Sequence, residues 1–237
     1  MRIAEESQRH CHGHELCSDE LTLIVAALMR YELAIFDFDG TLADSFPFFL
    51  SVHNLIAEKH GSKTIQEYEV ADLRHRSPRE IMQLAGLPRW KLPWVAQSFM
   101  TLMHDRAAEI RLFDGIHEAL EHLQQQGVAL ALVTSNSLEN VRRILGPETF
   151  ARLAHVECGA SLFGKKSRIK RTLTHVGPAG NKAIYIGDQM VDAEAARSAG
   201  IAFGAVAWGY GSLESLVSYA PEVTFTHVAQ IEQLARW

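Results

Sequence analysis

From Tyr31 onward, short apolar runs alternate with amphipathic stretches. Strands covered on both faces read as brief continuous apolar runs, and the helices that cover them read as periodic ones, so the alternation predicts a parallel sheet wrapped by helices. The predicted strands are Glu32 to Phe36, Val128 to Val133, Ala154 to Glu157, Ala183 to Ile186, Phe203 to Ala207 and, with a weaker pattern, Val223 to Phe225. Helices are predicted over Ile116 to Gln126, Leu138 to Leu145, Arg168 to His175 and Val191 to Ala199, with Gly127, Ser137 and Gly200 as stop and start signals.

One segment breaks this alternation. Between Ser45 and Leu112 there is no strand pattern, only helical periods over Phe46 to His60, Ile65 to Leu73 and Leu92 to Ile110, with a further helix opening at Ser77-Pro78-Arg79-Glu80. Ser77 as N-cap, Pro78 at the first helical position and Glu80 beyond it form a capping box. The expected organisation is an α/β, doubly wound, Rossmann-like parallel sheet over residues 29–44 and 113–237, with a small helical cap inserted at 45–112. The insert leaves after the first strand and returns before the second, where it can cover a site at the sheet edge. Trp90 and Trp94 are read as part of its core rather than as a platform for substrate.

Residues 1–28 are polar and carry His10-Cys11-His12-Gly13-His14 with Cys17 beyond, ahead of Met29-Arg30-Tyr31, a natural start for the chain. Imidazole and thiolate are zinc ligands, but nothing nearby supplies a core to hold them rigid, so the segment is read as a flexible N-terminal extension.

Composition narrows the class. With 237 residues, 47% of them apolar, and a net charge of -5, the chain has the size and balance of a globular protein with no basic excess for nucleic acid. Its longest apolar stretch, Leu21 to Met29, is about half of the roughly 20 residues a membrane helix needs, and Asp19 and Glu20 stand where a signal peptide would carry positive charge. Three cysteines, Cys11, Cys17 and Cys158, form no disulfide framework and suit a reducing compartment, so a cytoplasmic location without a membrane partner is expected. Monomer and homodimer both remain open.

The candidate chemistry begins at Asp37-Phe38-Asp39-Gly40-Thr41, directly after the apolar run Leu33 to Phe36. Two carboxylates this close repel unless a proton or a cation lies between them, and a divalent metal is the usual solution where phosphate is handled. A tight turn or the opening of a calcium loop would use the same letters. Three later segments follow predicted strands: Thr134-Ser135-Asn136, Gly164-Lys165-Lys166, and Gly187-Asp188 with Asp192 beyond. Each has a plain structural reading as a helix cap, solvated charge or a turn. In a doubly wound sheet, however, all of these strand ends lie along one edge. Acids, a hydroxyl with free amides, and a cation would then meet in one crevice.

The order Asp37-x-Asp39-Gly40-Thr41, Thr134, Lys165, Gly187-Asp188-x-x-x-Asp192 resembles the four motifs of the haloacid dehalogenase superfamily, in its branch with a helical cap between the first two. Leu33 to Ser45 and Ala183 to Gly200 match especially well, and Ala205-Val206-Ala207-Trp208-Gly209-Tyr210-Gly211 is similar to phosphoglycolate phosphatases. The proline common after the motif lysine is absent and Lys166 adjoins Lys165, so either lysine could fill that place.

The resemblance implies a magnesium-dependent phosphatase that hydrolyses a small, phosphoglycolate-like metabolite through an aspartyl-phosphate. It implies Asp37 as nucleophile, Asp39 as general acid and base, and Thr134 and Lys165 as further catalytic groups. Phe38, Gly40, Thr41, Ser135 and Asn136 would surround the phosphate, the amides of Phe38, Gly40 and Ser135 facing its oxygens. Mg2+ would be held by Asp37, the carbonyl of Asp39, Asp188 and Asp192, the last directly or through water. Dehalogenases of this fold expel halide, need no proton and lack an acid at the position of Asp39, so its presence favours phosphorus over carbon. Substrate choice is expected from the cap, with Arg74 as the anion-gripping residue and His75, Arg76 and Arg79 as a solvated turn. A phosphomutase would retain the same residues and differ in how well its cap excludes water. A non-catalytic phosphate-binding regulatory module would have little reason to keep Asp39 together with Lys165 and Asp188.

Overall fold

The computed structural model describes residues 31–73, 83–84, 86, 88–159, 164–178 and 182–235. The His10 to Cys17 cluster, Arg74 and the Ser77 capping box lie outside the described residues.

The described strands are β1 (Leu33–Phe36), β2 (Ala43–Asp44), β3 (Arg111–Leu112), β4 (Ala129–Val133), β5 (Leu153–Glu157), β6 (Ala183–Gly187), β7 (Ala202–Val206) and β8 (Val223–Phe225). Six of them form one sheet in the order β5-β4-β1-β6-β7-β8, every neighbouring pair parallel. Their limits lie within one residue of the predicted ones. β1 sits between β4 and β6, and the chain turns outward on opposite sides of it, so the edge beyond its carboxyl end is the place where an open α/β sheet offers a crevice.

Alternate side chains of these strands enter two cores. Ala34, Phe36, Leu130, Leu132, Ile184, Ile186 and Val206 pack on one face with Leu120 and Leu123 of helix Ile116–Gln125. Leu33, Ile35, Ala131, Val133, Tyr185 and Ala205 pack on the other with Ile169 of helix Lys165–Val176 and Ala193 and Ala196 of helix Met190–Ala199. Coverage of both faces explains the unbroken apolar lettering of β1 and β6. Register then aligns the chemistry: Phe36 pairs with Leu132 on one side and Ile186 on the other, which leaves Asp37 level with Val133 and Gly187.

β2 and β3 form a separate antiparallel pair, Ala43 against Leu112 and Asp44 against Arg111. They pinch together the outgoing and returning connections of the helical segment. Its helices Phe46–His60 and Leu92–Asp105 meet through Phe48 and Phe99, edge to face at 5.9 Å, and Phe48, Val52, Ile56 and Met103 join the first core. Among the described residues, no helix is long and apolar enough to cross a membrane.

Several elements differ from expectation. Ile65 to Leu73 is a short 3-10 turn, Glu67–Glu69, running into Val70–Leu73, because Ile65 is held in a loop by both side-chain atoms of Asn54. The long helix from Leu92 stops at Asp105, where Arg106 leaves helical geometry, and Ala107–Glu109 forms a 3-10 turn. The helix from Leu138 does break after Leu145, at Gly146 (φ 74°, ψ 164°), but Pro147 starts a further helical stretch that continues to Ala151. Trp90 and Trp94 are not core: they are 66% and 59% exposed and pack edge to face on each other at 6.0 Å. Val95, Phe99, Leu102 and Met103 occupy the inward stripe of that helix, at helical spacing, and leave the two indoles off it.

Candidate active site

The loop after β1 is built around one carbonyl. Phe38 O accepts from the amides of Thr41, Leu42 and Ala43, and the Gly40 amide donates to Ala43 O at 2.9 Å. Gly40 takes φ +80°, and a Cβ there would run into the Asp188 carboxylate and lie 2.8 Å from the Tyr210 ring. Glycine is needed for both reasons. The Gly40 amide, expected to face a phosphoryl oxygen, is therefore occupied inside the loop.

Asp37 follows β1 directly, its amide donating to Ile186 O at 2.9 Å. Its Oδ2 lies 3.0 Å from Lys165 Nζ, which also bonds Asp192 Oδ1. Lys165 is the first residue of its helix, with Gly164 before it. A cation there opposes the helix dipole, a local cost offset by the two carboxylates it meets. Lys166 is exposed, so Lys165 is the lysine that reaches the site.

Asp37, Asp188 and Asp192 are buried, and each offers a carboxylate oxygen within 4.8 Å of the others. Asp188 accepts from Thr41 Oγ1 at 3.2 Å and from the Tyr210 amide at 2.7 Å. Thr41, expected beside the phosphate, thus braces Asp188. Asp192 caps its own helix, its Oδ2 accepting from Gln189 N at 2.9 Å. Gly187 gives the room: a Cβ there would lie 2.6 Å from the Asp192 carboxyl carbon.

Asp39 stands apart from this cluster. Its Oδ1 accepts from Ser45 Oγ at 2.8 Å and its Oδ2 from Asn136 Nδ2 at 3.0 Å. Asn136, also expected at the phosphate, is buried and committed to Asp39, with Met103 Sδ against the same amide. Thr134 is buried at the end of β4, and its Oγ1 accepts from Asn136 N at 3.0 Å. Arg168 holds the Thr134 carbonyl at 3.0 Å and that of Gly159 at 2.6 Å, fixing the loop from beneath.

Burial dominates the electrostatics. It pushes Asp37 up to about 7; Lys165 opposes the rise, while Asp192 and Asp39 add to it. Burial likewise raises Asp39 against its bonds from Ser45 and Asn136, and drives Asp188 well above the usual carboxylate range, helped by Asp192 and Asp37. For Lys165, burial works against the charge, yet Asp192 and Asp37 outweigh it and hold the ammonium well above its ordinary value. Asp37 is raised in spite of its ion pair at 3.0 Å because burial outweighs the Lys165 ammonium. All-oxygen donors, buried and converging, with one ammonium among three acids, suit a hard divalent cation.

Ser45, Tyr210 and Arg168 were not singled out by sequence. Ser45 is one of many serines that precede a helix, and Arg168 reads as an ordinary helix residue. Tyr210 lies in a stretch that carried the resemblance, but nothing in its lettering assigned it a task.

Known proteins resemble this chain in sequence and in fold. The model of the haloacid dehalogenase-like hydrolases matches residues 34–206. A phosphoglycolate phosphatase of Synechococcus elongatus is 32% identical over 189 residues, 79% of this chain and 89% of that protein. An N-acetylmuramic acid 6-phosphate phosphatase of Pseudomonas aeruginosa is 26% identical over 77% of this chain and 84% of that protein. Among solved structures, a haloacid dehalogenase-like family hydrolase from Streptococcus pneumoniae superposes with a TM-score of 0.72 at 21% identity, covering 85% of this chain and 97% of that one, which supports the fold. With four strand ends delivering their motif residues to one edge and a family match that spans them all, the chain belongs to the haloacid dehalogenase-like hydrolases.

Proposed function

We propose that this chain is a magnesium-dependent phosphatase that hydrolyses a small phosphorylated metabolite through an aspartyl-phosphate, with 2-phosphoglycolate as the leading substrate. The observation that carries the proposal is the division of labour between two aspartates of one loop. Asp37 is paired with Lys165 at 3.0 Å, while Asp39 is held separately between Ser45 and Asn136. A nucleophile and a proton carrier need such different settings. The substrate is suggested by the Synechococcus relative; the Pseudomonas relative, named for a different phosphate ester, shows why it needs its own test.

Asp37, Asp188 and Asp192, with the Asp39 carbonyl, would hold Mg2+, which when bound offsets the negative charge of the carboxylates and of the phosphoryl oxygens. Lys165 orients Asp37 and balances further charge on the same group. The amides of Phe38 and Ser135 and the Thr134 hydroxyl would bind phosphoryl oxygens. In the first step an Asp37 carboxylate oxygen forms a bond to phosphorus as the ester P–O bond breaks, and the leaving alkoxide takes a proton from Asp39. In the second, Asp39 takes a proton from water as the water oxygen bonds to phosphorus and the Asp37–phosphorus bond breaks, releasing inorganic phosphate and restoring both aspartates. The segment over 45–112, joined to the sheet through β2 and β3, is the cap that would close over this site, and Arg74 belongs to it.

The test is phosphate release from p-nitrophenyl phosphate and from a panel of phosphorylated metabolites, with and without magnesium. Asp37→Asn should abolish release while circular dichroism stays that of the folded chain. Substantial turnover by that variant would defeat the proposal, and binding of phosphate without turnover by the wild type would favour a regulatory module.

A further inference from the structure

We infer that Tyr210 is a positioning residue for Asp39, acting through the Ser45 hydroxyl, and that it joins the loop bonded to Asp188 to the start of helix Phe46–His60. The inference rests on the phosphatase reading, in which Asp39 moves a proton.

The two oxygens of Asp39 have unlike partners. Oδ2 accepts from Asn136 Nδ2 at 3.0 Å, and the orientation of that amide is fixed because its own Oδ1 accepts from the Ser137 backbone N–H at 2.8 Å, a group that only donates. An amide nitrogen cannot accept, so Asn136 bonds Asp39 only as a donor and cannot reverse when the charge on Asp39 changes. Oδ1 faces Ser45 Oγ at 2.8 Å, and Ser45 Oγ lies 2.7 Å from the Tyr210 hydroxyl, where either oxygen can donate. Two hydroxyls in series can reverse together. With Asp39 ionised, Tyr210 donates to Ser45 and Ser45 to Oδ1; with Oδ1 protonated, Asp39 donates to Ser45 and Ser45 to Tyr210. The pair therefore holds Asp39 in one place in both of the states that the reaction needs, which a partner able only to donate cannot do.

Tyr210 is fixed from both sides. Its backbone amide donates to Asp188 Oδ2 at 2.7 Å, and its ring packs on Phe46 at 5.0 Å and Phe49 at 6.2 Å between centroids. Gly209 brings the loop close: a Cβ there would lie 2.5 Å from the Gly40 carbonyl oxygen. Ser45 directly precedes the helix that carries both phenylalanines. One side chain thus touches the proton carrier's partner and the first turn of the helical segment, while its own backbone braces a carboxylate of the acidic cluster.

Tyr210→Phe keeps the ring and removes only the hydroxyl. It should be assayed in the full chain with magnesium beside Ser45→Ala, Ser45→Thr and Asp39→Asn, on p-nitrophenyl phosphate and on 2-phosphoglycolate. The nitrophenolate departs without a proton, whereas the alkoxide requires one. The ratio of kcat/KM on the aryl ester to kcat/KM on the alkyl ester, which reads the first step and not the shared hydrolysis of the aspartyl-phosphate, should rise about tenfold or more in Tyr210→Phe and Ser45→Ala, in the same direction as in Asp39→Asn, with Ser45→Thr close to wild type. Equal losses of kcat/KM on both esters in Tyr210→Phe, or no loss on either, would overturn the inference alone. If Ser45→Ala does not fold, Tyr210→Phe still decides. A wild-type chain that releases phosphate from neither ester would overturn the phosphatase reading and this inference with it.

Discussion

Lys165 Nζ lies 3.0 Å from Asp37 Oδ2 even though the two residues come from opposite halves of the chain, one at the start of a helix and the other at the end of the central strand. The pair is almost wholly enclosed, with side-chain exposures of 14% and 8%. Removal of the ammonium would leave Asp37 and Asp192 facing each other without a cation. Lys165→Ala should therefore lower kcat/KM on p-nitrophenyl phosphate by at least about a hundredfold, the scale of losing one preorganised charge in an enclosed site. Lys166→Ala should change it by less than about twofold, since an exposed charge contributes little. Comparable losses in the two variants would refute the assignment of Lys165.

Gly40 tests how closely two loops must approach. At φ +80°, with Asp188 and Tyr210 against the place of its absent side chain, it combines a left-handed backbone with no free space. Gly40→Ala should cost about 1–3 kcal/mol of stability and remove most magnesium-dependent activity, because relief requires displacement of the Asp188 carboxylate and of the Tyr210 ring. Thermal melting together with a magnesium titration of activity would check this. A variant that melts and turns over like wild type would show that the loops are not packed as described.

The sheet was legible because burial on both faces writes itself as continuous apolar letters, which is why β1, β4 and β6 fall where the runs do. The charged residues were legible too, since Asp37, Lys165, Asp188 and Asp192 follow strands that must end on one edge. What the letters concealed is direction. Thr41 and Asn136 look like phosphate binders, yet their side chains turn to Asp188 and Asp39. The Gly40 amide likewise turns back into its own loop. Ser45 and Tyr210 meet across most of the chain, and no local pattern encodes such a contact. β2 and β3, at two residues each, are too short for any period to register.

The exposed indoles give a direct check on the packing of the helical segment. Trp90 and Trp94 face outward while Phe99 and Met103 fill the interior. Trp90→Ser with Trp94→Ser should change unfolding free energy by no more than about 1 kcal/mol, because surface substitutions are usually within about 0.5 kcal/mol each. Two core tryptophans would cost about 3–5 kcal/mol apiece. A urea titration separates the two cases, and a large loss would return these rings to the core.

The carboxylate cluster also sets how stability should depend on pH when no metal is present. Burial raises Asp37 from 3.8 to about 7, and Asp39 and Asp188 shift in the same direction. Between those limits the folded chain holds a proton at Asp37 that the unfolded chain has released, so the contribution of Asp37 to stability falls as pH rises from about 4 to about 7. Glu157 acts in the opposite sense: its bond from Arg171 lowers it, so its contribution is present above its unfolded value and is lost only in more acidic solution. The urea midpoint in EDTA should therefore decline from pH 5 to pH 7 in the wild type, and Asp37→Asn should flatten that decline. Magnesium should restore stability most at the upper end of the window, where the carboxylates are ionised and can bind it. A midpoint that rises over this range equally in wild type and Asp37→Asn would mean that the acids are less deeply buried than their packing indicates.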